Sequence, residues 1–578
     1  MTKRWVIAKP EPALAEALAG ELHLAVALAQ VLINRGYGDA DKASQFLNPQ
    51  LRQLDDPFGL PEMAMAVDRI LAAIENKERI TIYGDYDVDG VTSSALLQLV
   101  LRAAGATVTN FLPHRMDEGY GLTQDGIARC WKEHQPQLLL AVDCGTSSVP
   151  EIADLKKRKV DTIVLDHHEP AEKLPDCVAL VNPKIVAANR IREGGESPRK
   201  SFAATTPLAS VGVSFKLAHA LLKRDRRLSE QIDLREHLDL VAVGTVADVV
   251  PLIGENRILV KAGLERLPHT QKIGLRALMD VASVPDVVSP YHIGFRIAPR
   301  LNAAGRLADA MAALELLLTD DPSRAKELAT LLDNHNAERQ RIEERMVDEA
   351  MAMARAQEQD RVLVLAREGW HVGVIGIVAS RVQQEFYKPT VVIGIEDKLG
   401  RGSCRSVTGF SIVDALRHCA SLLERFGGHE MAAGLSVKAG NIDPLRQKLN
   451  EFAAKTLKDD DRHQRVKIDA VVTLDDLDAD FFEQLARLEP CGPENPTPVF
   501  AVEGMQLRGA PRVVGKNHLR FDVTDGDTTA QAIWWGRGDF ELPKGKFDVA
   551  FTPELNEFRG VESVQLKVRD VRGTMVDG

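Results

Sequence analysis

Tyr83-Gly-Asp-Tyr-Asp-Val-Asp-Gly90 sets Asp85, Asp87 and Asp89 at alternate positions directly behind Arg79-Ile-Thr-Ile-Tyr83, a run that reads as a buried strand. A helical pattern, 91–104, follows Gly90. Carboxylates crowded at a strand end repel one another and lose solvation, so something cationic has to hold them. No lysine or arginine lies within the run, which makes a metal the better candidate and a solvated surface loop the bland alternative. The spacing matches the first half of a calcium EF-hand loop. That pattern then requires Glu where this chain has Leu96, and a helix where it has a strand, so the EF-hand fails.

Apolar runs at 80–83, 107–112, 138–142, 162–165 and 179–181 alternate with helical stretches, which predicts an α/β domain built on a parallel sheet covered on both faces. Ligands of such sheets gather beyond the carboxyl ends of the strands. The first run ends in the aspartates, the third in Asp143-Cys-Gly145, and the fourth in Asp166-His167-His168. Three strand ends thus deliver carboxylate or imidazole to one sheet edge. Helical patterns resume at 208–222 and 234–243, the second leading to Asp248, and Arg300, Asn302 and Arg306 follow on a small-residue scaffold. Asp87, Asp89, Asp143, His167 and Asp248 are together the ligand types of a two-metal site. Oxygen donors with one imidazole suit Mn²⁺ or Mg²⁺ better than zinc. One carboxylate bridging two ions makes a clamp for in-line attack on phosphorus.

The remaining chain divides by pattern. Residues 1–75 read as an alanine-rich helical cap, 76–320 as the catalytic α/β domain, and 186–206 within it as loop. Residues 321–358 predict one long helix, about 50 Å if 35 residues form it. A smaller α/β domain is expected over 359–458, with Gly402-Ser403-Cys-Arg405-Ser406 and Gly427-Gly428-His429 in glycine turns of the kind that accept phosphate, although each alone reads as an ordinary turn. Asp459-Asp-Asp461 reads as a polar linker. Short alternating strands over 465–578 suit a small β-barrel of the OB type. Trp534, Trp535, Arg512, Lys516 and Arg520 are candidates there for contact with a single strand, against the plainer reading of an aromatic core with solvated arginines.

A chain of 578 residues with 45% hydrophobic content accommodates three or four domains. The first ten residues carry no apolar core for a secretory signal, and no run approaches eighteen apolar residues, so no membrane association is expected. Six scattered cysteines without a C-x-x-C pair argue for a reducing compartment, with cytoplasm the default, and against a zinc ribbon. The net charge of −11 disfavours a polyanion in the far field, but phosphate binding needs only a local groove. Arg190, Arg192, Arg199 and Lys200, the run Lys223-Arg-Asp-Arg-Arg227, and Arg296, Arg300 and Arg306 are clusters that can line one, each also readable as a solvated face.

The motifs Asp85-Tyr-Asp87-Val-Asp89-Gly, Asp143-Cys-Gly, Asp166-His167-His168, Asp248 and the later Gly-Gly-His, in that order, resemble the DHH phosphoesterase superfamily. The layout is similar to its bacterial single-strand-specific 5′→3′ DNA exonucleases: DHH domain, connecting helix, DHHA1-type domain and OB domain. The resemblance implies two divalent cations, Mn²⁺ or Mg²⁺, held by Asp87, Asp89, Asp143, His167 and Asp248, with Asp143 as the bridge. It implies that His168 sits beside the scissile phosphate. Ser403, Arg405, Ser406, Gly428 and His429 would bind the 5′ end, and Arg300, Asn302 and Arg306 the phosphates. Many relatives carry a metal-binding His where this chain has Tyr83, so Asp85 either compensates at the catalytic site or supports the loop. Single-stranded DNA is the implied partner, in repair and recombination, with a single-strand-binding protein and a helicase as further ones and a monomer as the state. A phosphodiesterase for short oligonucleotides or cyclic dinucleotides is one rival reading, which the extra barrel disfavours. A scaffold that has lost its metals is another, disfavoured because every acid is present and an uncompensated buried charge costs several kcal/mol.

Overall fold

The computed structural model describes residues 3–114, 118–119, 121–185, 207–307, 309–458, 461, 463–558 and 561–573. The 186–206 loop with its four basic residues, and Asp459 and Asp460 of the linker, lie outside the described residues. The chain forms two compact units, Ser44–Asn336 with Arg487–Thr497, and Met1–Ala43 with Ala337–Ala486 and Pro498–Gly578.

In the first unit five strands, all parallel, run in the order Thr107–Phe111, Arg79–Gly84, Leu138–Val142, Asp161–Leu165, Ala179–Val181. Ile82, Leu140 and Ile163 enter a core on one face. Tyr83, Leu139, Ala141 and Val164 enter another on the opposite face. That alternation is the pleat of a sheet buried on both sides. The order reverses between Arg79–Gly84 and Leu138–Val142, which opens a crevice at their carboxyl ends.

The helix after the first strand spans Val88–Ala103 and so begins three residues earlier than its apolar pattern suggests. Asp87 is its N-cap, so Asp89 and Gly90 lie in the first turn. Gly90 is required there, because a Cβ would collide with the backbone of Asp85. Leu238–Ala247, apolar on nearly all sides and buried, packs against it closely enough that a Cβ on Gly244 would strike Thr92 Oγ1. That contact delivers Asp248, the C-cap of Leu238–Ala247, to the crevice.

The Arg487–Thr497 segment joins this unit through Arg257, a fully buried side chain. Its guanidinium donates to five carbonyls, those of Phe46, Arg487, Leu488, Glu489 and Pro490, at 2.9–3.1 Å. It also lies 4.0 Å from the Phe46 ring centroid. The expected basic face at 223–227 is solvated and ion-paired, Arg224 with Asp68 and Arg227 with Asp225.

In the second unit the N-terminus is not wholly helical. Arg4–Ile7 is a strand paired in parallel with Arg465–Ile468, and Pro12–Leu22 and Val26–Asn34 are separate helices that part at left-handed His23. Five strands, in the order Leu423–Gly428, Ala432–Lys438, Leu399–Arg405, Thr390–Glu396, Leu363–Glu368, form a mixed sheet. The C-terminal strands Phe500–Val514, His518–Thr524, Thr529–Trp534, Val561–Gly573 and Phe547–Phe558 close into a five-stranded barrel by pairing of the first with the last. Pro322–Ala356 is one helix of 35 residues, as its pattern predicts, and its residues divide between the units after Asn336. Among the described residues no single helix is long and apolar enough to cross a membrane.

Candidate metal centre

The crevice collects the acids and imidazoles in three overlapping groups. Asp85, Asp87 and Asp143 each bring a carboxylate oxygen within 4.8 Å of the others, Asp89, His167 and Asp248 do the same with their ligand atoms, and Asp143, His167 and His168 form the group that links these two. Asp143 ties the groups together: its Oδ1 lies 3.5 Å from His167 Nε2, which in turn lies 3.4 Å from Asp248 Oδ2 and 4.0 Å from Asp89 Oδ2. Asp143 adopts φ 62 and Val249, beside Asp248, φ 60. Left-handed backbone is disfavoured for a β-branched residue, and such strain gathers at functional sites.

Burial first, and repulsion from neighbouring carboxylates second, raises the acids. Asp85 and Asp143 are pushed well above the usual carboxylate range. Asp89 is pushed up to about 7 and Asp248 to about 9. Burial and the adjacent His168 lower His167 to about 4, so its ring is a neutral donor. Both oxygens of Asp85, Oδ2 of Asp248 and Nε2 of His167 are buried without a hydrogen-bond partner among the described residues. Orphaned oxygens and an orphaned imidazole nitrogen facing one crevice are a poor core and a fitting ligand set for hard divalent cations.

The surrounding residues hold this set rigid. Asp89 accepts from the backbone N–H groups of Ser210 and Val211 at 2.7 and 2.8 Å, at the start of the Ser210–Arg224 helix. Ser210 Oγ donates to Asp143 Oδ1 at 2.9 Å. Asp166 is turned away from the ligand groups. It accepts from Thr146 N, His167 N and His168 N, and it pairs with His168 Nδ1 at 2.7 Å. Although burial opposes it, the His168 bond holds the Asp166 carboxyl far below the usual range, and His168 is raised in return. Asn182 Nδ2 donates to Thr146 Oγ1 and His168 O, bracing the same loop. Ser210 and Asn182 carry no acid or imidazole signature, so residue type did not single them out. The signal for Ser210 was Pro207 just ahead of an apolar helical pattern, a helix-start mark.

Tyr83 lies outside the metal groups. Its ring is buried against Phe111, and its hydroxyl donates to Gly121 O at 3.2 Å. Arg300, Asn302 and Arg306 share the Ala298–Leu307 helix. A Cβ on Gly305 would lie 2.7 Å from Tyr86 O, so this helix rests on the aspartate loop. Arg300 is tied to Asp333 and to Arg296 O, each at 2.7–2.8 Å, and its guanidinium is only partly available to phosphate.

In the second unit Ser403 and Arg405 end one strand, and the Gly428–His429 turn follows another of the same sheet. Arg405 donates to Ser380 Oγ, Ser403 Oγ and Cys404 O, which fixes its fork. Gly428, at φ 138, would place a Cβ 2.5 Å from Ala432 O, and the exposed His429 donates its N–H to that same oxygen. Ser406 departs from expectation: it is buried and its hydroxyl donates to Phe410 O. In the barrel Trp534 is core, packed on Phe540, whereas Trp535 is 53% exposed beside His518. Arg512 and Arg520 face each other across paired strands.

Comparison with known proteins agrees with this architecture. Residues 79–245 match the DHH family N-terminal domain, 359–455 the DHHA1 domain, and 468–570 the RecJ OB domain. The chain is 37% identical over 576 residues to the single-stranded-DNA-specific exonuclease RecJ of Bacillus subtilis, covering 98% of this chain and 70% of that one. It is 35% identical over 551 residues to the protein of the same name from Dickeya dadantii, covering 91% and 92%. The crystal structure of RecJ from Thermus thermophilus in complex with Mn²⁺ superposes with a TM-score of 0.85 at 31% identity, covering 99% of this chain and 80% of that one. A Mg²⁺ complex from the same organism gives 0.78 at 30%, covering 99% and 79%. With identity of this order along nearly its whole length, the chain belongs to the RecJ family.

Proposed function

We propose that the protein is a metal-dependent exonuclease that hydrolyses phosphodiester bonds of single-stranded DNA from the 5′ end. The observation that carries this reading is the set of ligand groups linked through Asp143 and His167, with orphaned donors facing one crevice. Asp85, Asp87 and Asp143 would hold one divalent cation, and Asp89, His167, Asp248 and Asp143 a second, with Mn²⁺ and Mg²⁺ the ions named for relatives of this fold. Such a pair, when bound, lowers the pKa of water and stabilises charge on the attacking and leaving oxygens of an in-line displacement.

The chain's own residues do the rest. Asp166 fixes the His168 ring through Nδ1, leaving Nε2 to hold a proton toward phosphate or leaving oxygen. Ser210 orients the Asp143 carboxylate by donating to its Oδ1. Arg405, Ser403, Gly428 and His429 present a fork, a hydroxyl and a glycine turn suited to a terminal phosphate, the basis of the 5′→3′ polarity. Asn302 and Arg306 would steady the backbone next to the metal loop. The barrel, with Trp535 and Arg512 exposed, would extend the hold on the strand. Action in the cytoplasm in repair and recombination, as a monomer alongside a single-strand-binding protein and a helicase, follows the family resemblance.

The test is a time course with Mn²⁺ or Mg²⁺ on 5′-labelled and 3′-labelled single strands, beside duplex and a chelated control. The reading requires metal-dependent release of the 5′ label first, with duplex spared. Release of the 3′ label first would overturn the polarity, and digestion in chelator would overturn the metal mechanism.

A further inference from the structure

Tyr291 and Phe295 stand 57% and 69% exposed, yet their rings stack with centroids 4.8 Å apart and planes 27° apart. Single exposed apolar side chains are ordinary on a protein surface. A stacked aromatic pair is different, because so much ring surface in water favours a third planar group. The pair lies on a continuous helix, Pro290–His292, Ile293–Ile297 and Ala298–Leu307, whose middle section is a π turn.

That π turn brings the pair into line with Asn302 and Arg306. The 15 steps from Tyr291 to Arg306 would sweep four turns plus about 60° in an unbroken α-helix. A π turn holds more residues per turn and takes up that excess. Tyr291, Phe295, Asn302 and Arg306 therefore fall along one side of the helix, a stripe about 22 Å long. Its Arg306 end is anchored where Gly305 rests on Tyr86, within the aspartate loop. In a chain of net charge −11, the segment from Pro290 to Leu307 contains Arg296, Arg300 and Arg306 and no acid. Arg296 donates to Ser283 O and Arg300 pairs with Asp333, so these cations flank the stripe in fixed positions.

We propose that Tyr291 and Phe295 form a stacking step that receives unpaired bases of single-stranded DNA a few nucleotides from the metal centre. The inference rests on the nuclease reading above and adds to it a determinant of strand choice. Bases of a duplex are already stacked and paired, so only a single strand offers free π-faces to the step.

The test uses the full-length, metal-loaded protein and compares Tyr291→Ala/Phe295→Ala with the parent and with Phe295→Trp. Binding to oligothymidylate is read by fluorescence anisotropy, and hydrolysis by KM and kcat on oligomers of increasing length. We expect the double variant to bind the long oligomer about tenfold more weakly. KM should rise on long oligomers, dinucleotide hydrolysis should be unchanged, and Phe295→Trp should bind as well as the parent. An abasic strand of equal length should bind the parent as weakly as the base-bearing strand binds the double variant, and the double variant should not distinguish the two strands. Equal affinities for parent and double variant, or a loss that persists on the abasic strand, would overturn the step and leave the patch as a surface for another protein. A parent that binds single strands but hydrolyses none would overturn the nuclease reading alone.

Discussion

His168 Nδ1 lies 2.7 Å from Asp166 Oδ1, and that bond holds the ring's orientation and, against burial, raises its pKa. Asp166 is the first acid of the Asp-His-His triplet, yet it supports the neighbouring imidazole while Asp143 reaches the ligand groups. Asp166→Asn should therefore act through His168. We expect kcat to fall by about 10²-fold or more, the usual scale of general acid–base help. His168 is raised in the folded protein, so its protonated form is lost only as pH climbs through that raised value. The alkaline limb of the pH–rate profile should shift to lower pH in Asp166→Asn. An unshifted limb would show that His168 does not carry the proton.

Asp143 belongs to two of the three ligand groups, with Asp85 and Asp87 in one and with His167 and His168 in the other. Asp143→Asn should bring hydrolysis down to the level of the chelated enzyme and reduce Mn²⁺ stoichiometry in a calorimetric titration. In chelator its Tm should equal or exceed the parent's, because a carboxyl whose ionisation burial penalises is gone. A variant that still turns over would remove Asp143 from the bridging position.

Asp85 and Tyr83 separate in the fold, although they are two residues apart in sequence. Asp85→Ala should weaken Mn²⁺ binding by at least the roughly 10–100-fold that even outer-shell changes cost. Tyr83→Phe should lose only the hydroxyl bond to Gly121 O, about 1 kcal/mol of stability, with metal affinity intact. The reverse pattern in paired titrations and melts would place the ligand at Tyr83.

Metal and pH should be coupled through the raised acids. A carboxyl held above its unfolded value makes its largest contribution to the stability of the metal-free fold below about pH 4, and that contribution drains away as pH rises from the unfolded to the folded value. For Asp248 the window runs from the ordinary aspartate value of 3.8 to about 9, and for Asp89 to about 7. Bound cations replace those protons, so the rise in Tm on adding Mn²⁺ should be larger near pH 8 than near pH 5. A pH-independent rise would contradict the charge state assigned to the cluster.

Arg405→Lys should raise KM on 5′-phosphorylated oligomers more than on 5′-hydroxyl ones, because lysine cannot reproduce the fork that Ser380 and Ser403 hold in place. Equal changes on both substrates would argue against terminal-phosphate recognition.

The parallel sheet and its acid-bearing edge were legible because strand ends are read from local apolar runs, and Asp143 and His167 stand directly behind theirs. The early start of the Val88–Ala103 helix was harder, since its first turn holds Asp89 and Gly90, residues that look like loop. The roles of Ser210, Asn182 and Ser406 depend on partners distant in sequence or on which way a hydroxyl turns, and no local pattern encodes either. The Arg4–Ile7 strand was hidden because its partner, Arg465–Ile468, lies at the far end of the chain.

Arg257 gathers four carbonyls from 487–490, while the sequence on both sides of Arg487–Thr497 belongs to the other unit. The unit that carries the acids is therefore unfinished until synthesis has passed Thr497. A protein cut at residue 465, where the sequence alone places the start of the C-terminal domain, would keep every ligand and leave a buried guanidinium without most of its acceptors, so excision at the apparent domain border would injure the half it was meant to preserve.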